Sequence, residues 1–174
     1  MKCQVVSKQK AVEVRPRRIG RILSFLAGKL ANAGSGRAWA DVSLVLTDDA
    51  GIARLNKAYF GDPGVTDVIS FRYDPLPSDR GAFSGELFVN AERAAGPAQH
   101  PGFDVSRELS LYIAHGCNHL AGETDDTRKG YKRMRRRELR WLREAETMGL
   151  LARPLVKSRR TIPRNRQTAG RSRR

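Results

Sequence analysis

The stretch Leu111–Asp126, LYIAHGCNHLAGETDD, decides how this chain is read. The chain has three histidines, and two of them, His115 and His119, stand four residues apart here. Val105, Leu109, Tyr112, Ile113 and Gly116 recur at helical spacing, which predicts an amphipathic helix from Asp104 or Ser106 to about His119. Residues four apart on a helix lie one above the other, so both imidazoles can reach one metal ion. Gly122 follows three residues after His119, where a glycine lets the helix stop and the chain reverse through positive φ. The pattern H-x-x-x-H-x-x-G-x-x-D then offers Asp125 as third ligand, with Asp126 next in order and Glu123 behind it.

Two histidines and a carboxylate with an open fourth position form a catalytic zinc arrangement, so one divalent ion per chain is expected, with zinc first. In the metallopeptidase form of this helix a glutamate directly follows the first histidine and serves as general base. Gly116 occupies that position, which speaks against peptide hydrolysis. Glu108, seven residues before His115 on the same face, is the candidate catalytic base. It is equally a carboxylate placed at a helix N-terminus, where the dipole favours it.

Outward from this stretch the chain alternates strand and helix patterns. QVVSKQKAVEV (4–14) reads as strand. Residues 17–33 carry Ile19, Ile22, Leu23, Leu26 and Leu30 at helical spacing. ADVSLVLTDD (40–49) alternates as a strand, and Asp48 or Asp49 can cap a helix over 49–59 with Ile52, Leu55 and Tyr59 inward. TDVISFRY (66–73) and GELFVN (85–90) read as two further strands, with a short helix after them. A last helix is expected over about 127–148, with Tyr131, Met134, Trp141, Leu142, Ala145 and Met148 inward. The fold class is therefore α/β (α+β): one compact domain, a small mixed sheet of about four strands flanked by helices, and a zincin-like metal-site helix. The domain is expected over 1–150, with 151–174 a disordered basic tail.

The net charge is +15, and residues 151–174 contribute nine Lys/Arg and no acid, leaving 15 − 9 = +6 on the rest. Even the folded part is basic, which favours a polyanion and nucleic acid first. RKGYKRMRRRELRWLR (128–143) holds nine Lys/Arg and one acid; such a helix beside a metal can focus an RNA backbone toward it, or be a solvated outer face. Arg128, Lys132, Arg135 and Arg136 are its candidate RNA contacts. No apolar run approaches the roughly 20 residues that span a bilayer, so no membrane partner is expected. The N-terminus does not read as a signal peptide, and Cys3 and Cys117 suggest no disulfide framework, so a cytoplasmic setting is expected.

HGCNHLAGETDD resembles the H-G-x-L-H-L-x-G-x-D-H signature of the YbeY family of single-strand-specific endoribonucleases. LNKAYFGDPGVTDVISF (55–71) resembles that family's L-N-x-x-Y-R and T-D-V-L-S-F block, GELFVN its next strand, and SRELSLYIAHG the helix entering the motif. The resemblance spans about residues 40–148. It implies a compact α/β fold, one metal ion usually taken as zinc, and hydrolysis of ribosomal or other single-stranded RNA. The implied role is maturation of the small-subunit 3′ end and ribosome quality control, with small-subunit proteins as further partners. In this light His115 and His119 match the first two ligands, and Asp125 falls where a third histidine normally stands. The family's phosphate-contacting arginine falls on Phe60, leaving Arg54 or Arg72 to take its place. Two other classes compete with this reading: a non-catalytic RNA-binding assembly factor and a metallopeptidase-like hydrolase.

Overall fold

Residues 1–33, 38–75, 81–97, 99–152 and 155–156 are described by the computed structural model of the chain. Strand β1 (Lys2–Ser7), helix α1 (Pro16–Ala33) and strand β2 (Trp39–Thr47) form a parallel crossover. Helix α2 (Asp49–Phe60), strand β3 (Val68–Tyr73), strand β4 (Phe83–Asn90) and the short helix α3 (Ala91–Ala95) follow. Helices α4 (Val105–Leu120) and α5 (Arg128–Thr147) complete the order. The sheet runs β1-β2-β4-β3, with β4 parallel to β2 and β3 antiparallel to β4, so β3 is an edge strand beside its own hairpin partner.

Alternation along the strands separates two faces. Val42, Leu44 and Leu46 of β2, with Leu87 and Val89 of β4, are fully buried beneath α1 and α4. The register places Val68, Ser70 and Arg72 of β3 opposite Val89, Leu87 and Gly85, on that same face. Ile69, Phe71 and Tyr73 point the other way, toward α2. The apolar stripe of α1 is buried throughout, from Ile19 to Leu30, as its spacing predicts. Each of α2, α4 and α5 is capped by the residue before it: Asp48, Asp104 and Thr127 accept from the backbone N–H groups of Gly51, Arg107 and Gly130.

Gly116 sets how closely α4 approaches the sheet. A Cβ there would lie 2.8 Å from Leu87 Cδ2, 2.9 Å from Val68 Cγ2 and 3.1 Å from Ser70 Oγ. Ser70 Oγ donates to the Gly116 carbonyl at 3.3 Å across the same contact. The position that a metallopeptidase gives to its glutamate therefore faces the sheet, with no room for a side chain.

Several expectations need correcting. The first strand stops at Ser7, because the Gln9 side chain bonds both the N–H and the carbonyl of Val12 and turns the chain. Val14 makes only an isolated bridge with Val156. Leu155 and Val156 are buried, and the Leu155 N–H donates to Ser106 Oγ at 2.9 Å. The packed domain thus continues past 150 to at least residue 156, since two apolar residues interrupt the polar sequence there; residues 157–174 lie outside the described set. Tyr59, Tyr131 and Met148, expected inward, are exposed. Tyr59 and Met148 stand at helix ends, and Tyr131 lies against the Arg135 guanidinium on the outer face of α5. Among the described residues no helix is long and apolar enough to cross a membrane.

Replacing Gly116 by Ala should destabilise the protein by about 1–3 kcal/mol, because the added methyl overpacks the helix–sheet contact against a β-branched neighbour. Urea unfolding of the two proteins checks this; equal midpoints would show that α4 can lift without cost.

Candidate metal centre

The last turn of α4 builds the site. Glu123 N donates to the Asn118 carbonyl and Gly122 N to the His119 carbonyl, a Schellman ending with Gly122 at φ +88°. This reverses the chain and returns Asp125 to the face carrying His115 and His119. One ligand atom from each of these three residues lies within 4.8 Å of the others. His115 Nε2 and His119 Nε2 are 3.1 Å apart. Asp125 Oδ2 lies 3.6 Å from the first, and Oδ1 3.9 Å from the second. Asp125, rather than Asp126, is the carboxylate facing both rings, and Asp126 is exposed.

The hydrogen bonds on the far side of each ring determine what the near side offers. His115 Nδ1 lies 2.8 Å from Glu138 Oε1, and a carboxylate can only accept, so Nδ1 carries the proton. His119 Nδ1 lies 3.1 Å from the Glu123 carbonyl and donates likewise. In the neutral rings both Nε2 atoms then turn lone pairs toward each other, so the contact needs a cation between them: a proton shared as Nε2–H···Nε2, or a metal ion in its place. Tetrahedral zinc with bonds of about 2.0–2.1 Å has ligand–ligand edges of about 3.3–3.4 Å. The three observed separations of 3.1, 3.6 and 3.9 Å bracket that value, and the donor set of two imidazoles and a carboxylate suits zinc.

Glu138 is the residue that sequence reasoning missed. It is buried on α5, and besides His115 it accepts from Asn118 Nδ2 at 3.3 Å and pairs with Arg135 Nη1 at 3.4 Å. The available signal was its isolation: one acid among nine cations, in step with the inward-facing Met134, Trp141 and Leu142. Burial disfavours the charge of His115, but the hydrogen bond and charge of Glu138, with Asp67 and Asp125 beyond it, outweigh burial and raise the histidine's pKa. Glu123 lies on the same turn. Burial opposes its ionisation, yet hydrogen bonds from Arg133 and Arg137 hold its pKa below the usual value.

The other expected site residues are placed as follows. Glu108 is buried near the start of α4, about 10 Å along the helix from His115. Its carboxylate accepts from His100 N at 2.7 Å and from His100 Nδ1 at 2.9 Å. A carboxylate so enclosed is a partner for His100, and its geometry gives no support to the role of general base. Arg135 is half-buried and donates from Nη2 to His100 Nε2 at 2.9 Å, so it supports the site from beneath instead of facing solvent. Arg128, Lys132 and Arg136 are exposed at four-residue spacing on α5, which starts three residues after Asp125. Arg72 stands against the turn, with Nη1 3.4 Å from where a Cβ on Gly122 would be. Arg54 is exposed on α2. Phe60 is also exposed and stacks on Phe71.

Two predictions follow from the second layer. Glu138→Gln should lower zinc affinity about 10–100-fold, since the amide can turn its NH2 toward Nδ1 and release the ring's tautomer. Competition with a chromophoric chelator measures it, and unchanged affinity would remove Glu138 from the site. The pH dependence has a definite sign. A raised folded pKa means that His115 stabilises metal-free protein fully below the unfolded value of about 6.5, and loses that contribution as pH rises through the folded value. Metal competes for the same site, so its stabilisation runs oppositely. The melting-temperature gap between zinc-saturated and metal-free protein should narrow on acidification, at a higher pH than two unperturbed histidines would give; a gap independent of pH would contradict this.

Comparison with known proteins shows the family. The family model for endoribonuclease YbeY matches residues 4–146. The chain is 33% identical over 128 residues to endoribonuclease YbeY of Moorella thermoacetica, covering 69% of this chain and 80% of that protein. It is 30% identical over 155 residues to endoribonuclease YbeY of Geobacter sulfurreducens, covering 87% and 96%. The solution structure of TM1509 from Thermotoga maritima shares the fold with a TM-score of 0.52 at 20% identity, over 85% of this chain and 94% of that one. On the extent of the family match and of these identities, the chain belongs to the YbeY endoribonuclease family.

Proposed function

We propose that this protein is a metal-dependent, single-strand-specific endoribonuclease that matures ribosomal RNA, with His115, His119 and Asp125 holding one zinc ion. The observation that carries the reading is the pair of Nε2 atoms 3.1 Å apart beside a carboxylate, in a chain of this family. When bound, a divalent ion supplies Lewis-acid stabilisation of the charge that develops on a phosphoryl oxygen. The protein's own groups do the rest. Glu138 and the Glu123 carbonyl fix both rings. Arg72, beside the Gly122 turn, is positioned to hold a substrate phosphate, and Arg54 offers a second contact from α2. Arg128, Lys132 and Arg136 extend a positive track from the turn along α5.

A ribosomal setting is supported by this track and by the nine cations after residue 150, which suit a surface where RNA phosphate is dense. We place the small-subunit 3′ end as substrate and small-subunit proteins as neighbours on the same grounds, together with the family. Both cysteines are free, and burial pushes the Cys117 thiol pKa up, making it inert. That fits action in a reducing cytoplasm.

The test is cleavage of a single-stranded ribosomal RNA precursor by purified protein, with and without chelator. Cleavage should stop on chelation, return with zinc, and be absent from His115→Ala along with the metal. Chelator-resistant cleavage, or RNA binding with no cleavage at any metal, would overturn the enzymatic reading. Independently, Lys132→Ala and Arg136→Ala should each reduce the salt slope of RNA binding by about one, as expected for single phosphate contacts. Unchanged slopes would show that the outer face of α5 is merely solvated.

A further inference from the structure

Four aromatic side chains form an outward-facing cluster at the sheet edge, on the face opposite the metal helix. Tyr59 and Phe60, at the end of α2, are 64% and 62% exposed, and Tyr73 of β3 is 49% exposed. Phe71 sits between them, half-buried. Its ring lies 4.7 Å from that of Tyr59 and 6.4 Å from that of Phe60, the latter nearly parallel at 10°. Phe88 meets Phe71 edge-on at 5.9 Å from within the sheet and holds it in place. The outer rings are exposed, although each aromatic face hidden would be favourable.

We propose that Tyr59, Phe60 and Phe71 form a stacking site for an unpaired nucleobase of the RNA, adjoining the metal centre across β3. The proposal rests on the RNA-directed reading above and specifies how the strand is held. Three observations select a base as the occupant. The exposed groups are flat π faces supported from beneath, which accept any base without reading its edge. Arg54 and Lys57 of α2 and Arg72 of β3 are exposed cations with no ion pair among the described residues, so phosphates flanking a stacked base would find partners. The acids at the patch are engaged: Asp62 accepts from the Gly64 N–H at 2.7 Å, and Glu86, opposite Phe71 on β4, accepts from the Tyr73 hydroxyl at 3.2 Å. Lastly, the patch and the site lie on the two faces of one edge strand. Successive residues of one edge strand face opposite ways, so Phe71 enters the cluster while Ser70 bonds Gly116 of the metal helix and Arg72 stands at the Gly122 turn. An RNA strand crossing the free edge of β3 can leave a phosphate at the metal side and stack a neighbouring base on the aromatic side.

The test uses the full-length, zinc-loaded protein with a short single-stranded 2′-O-methyl RNA and an abasic probe of the same length and charge. Phe60→Ala should weaken binding of the RNA by about 5-fold or more, the lower end of what stacking one base contributes. Its salt slope should not change, because no phosphate contact is lost. Affinity for the abasic probe should not change either, and Phe60→Trp should bind at least as well as the parent. Both variants change an exposed ring, so melting temperature and zinc content should match the parent. Equal RNA affinity for Phe60→Ala and parent would overturn the stacking site, as would an equal loss on both probes. A dimer in the parent that dissociates in Phe60→Ala would also overturn it, marking the patch as an interface between copies. Failure of the RNA reading itself looks different: the parent would then neither bind nor cleave RNA, whatever residue 60 is.

Discussion

The buried carboxylate of Glu138 is the interaction on which the rest of the site depends. It sits on α5 but meets groups of α4: the His115 ring at 2.8 Å and the Asn118 amide at 3.3 Å. A buried carboxylate with no donors would be costly, so its partners fix the register of the two helices as well as the ring's proton. Once that proton is on Nδ1, His115 must present a lone pair on the other side. His119 is set the same way by a carbonyl of the turn that ends its own helix. The connection extends further, because Arg135 joins Glu138 to His100, and His100 closes on Glu108 at the start of α4. The metal face of α4 is thus backed along its length by groups that have no contact with the ligand position.

Asp125, the carboxylate facing both rings, fits this electrostatic setting. With Glu138 behind His115 and Asp125 in front, the rings lie between two carboxylates, which is why the charged form of His115 is favoured despite burial. Two carboxylates that favour a proton on the ring also favour a divalent cation beside it, and the two compete. The same turn that brings Asp125 in gives its Glu123 carboxylate to Arg133 and Arg137. That pairing joins the turn to the first half of α5, so the loop carrying the third ligand is held at both ends.

Much of this was legible in the sequence for particular reasons. The histidine pair, Gly122 and Asp125 follow from helical spacing and from the need for positive φ at one residue, and those are local rules. The four strands and the long helices show through their apolar periods, and the sheet side of α4 through the same spacing. What was not legible depends on distant partners. Gln9 ends β1 by bonding Val12, a contact that no alternation of Val12 and Val14 reveals. Leu155 and Val156 look like part of a basic tail until Ser106 and Arg15 are seen to bond Leu155, and Val14 to bridge Val156. Glu108 shares its face of α4 with His115, but His100, eight residues earlier, takes up its carboxylate. Tyr59 falls in step with the buried stripe of α2, yet it stands at the helix end, where its ring joins the exposed aromatic cluster.

X-ray absorption of the zinc-loaded protein reads out whether two imidazoles and one carboxylate form the metal site. The ion should have only nitrogen and oxygen neighbours at about 2.0–2.1 Å, with the more distant scattering of two imidazole rings. That scattering should fall to one ring in His119→Ala. A sulfur scatterer at about 2.3 Å, which would bring in Cys117, or the signature of a third imidazole, which would bring in His100, would contradict it.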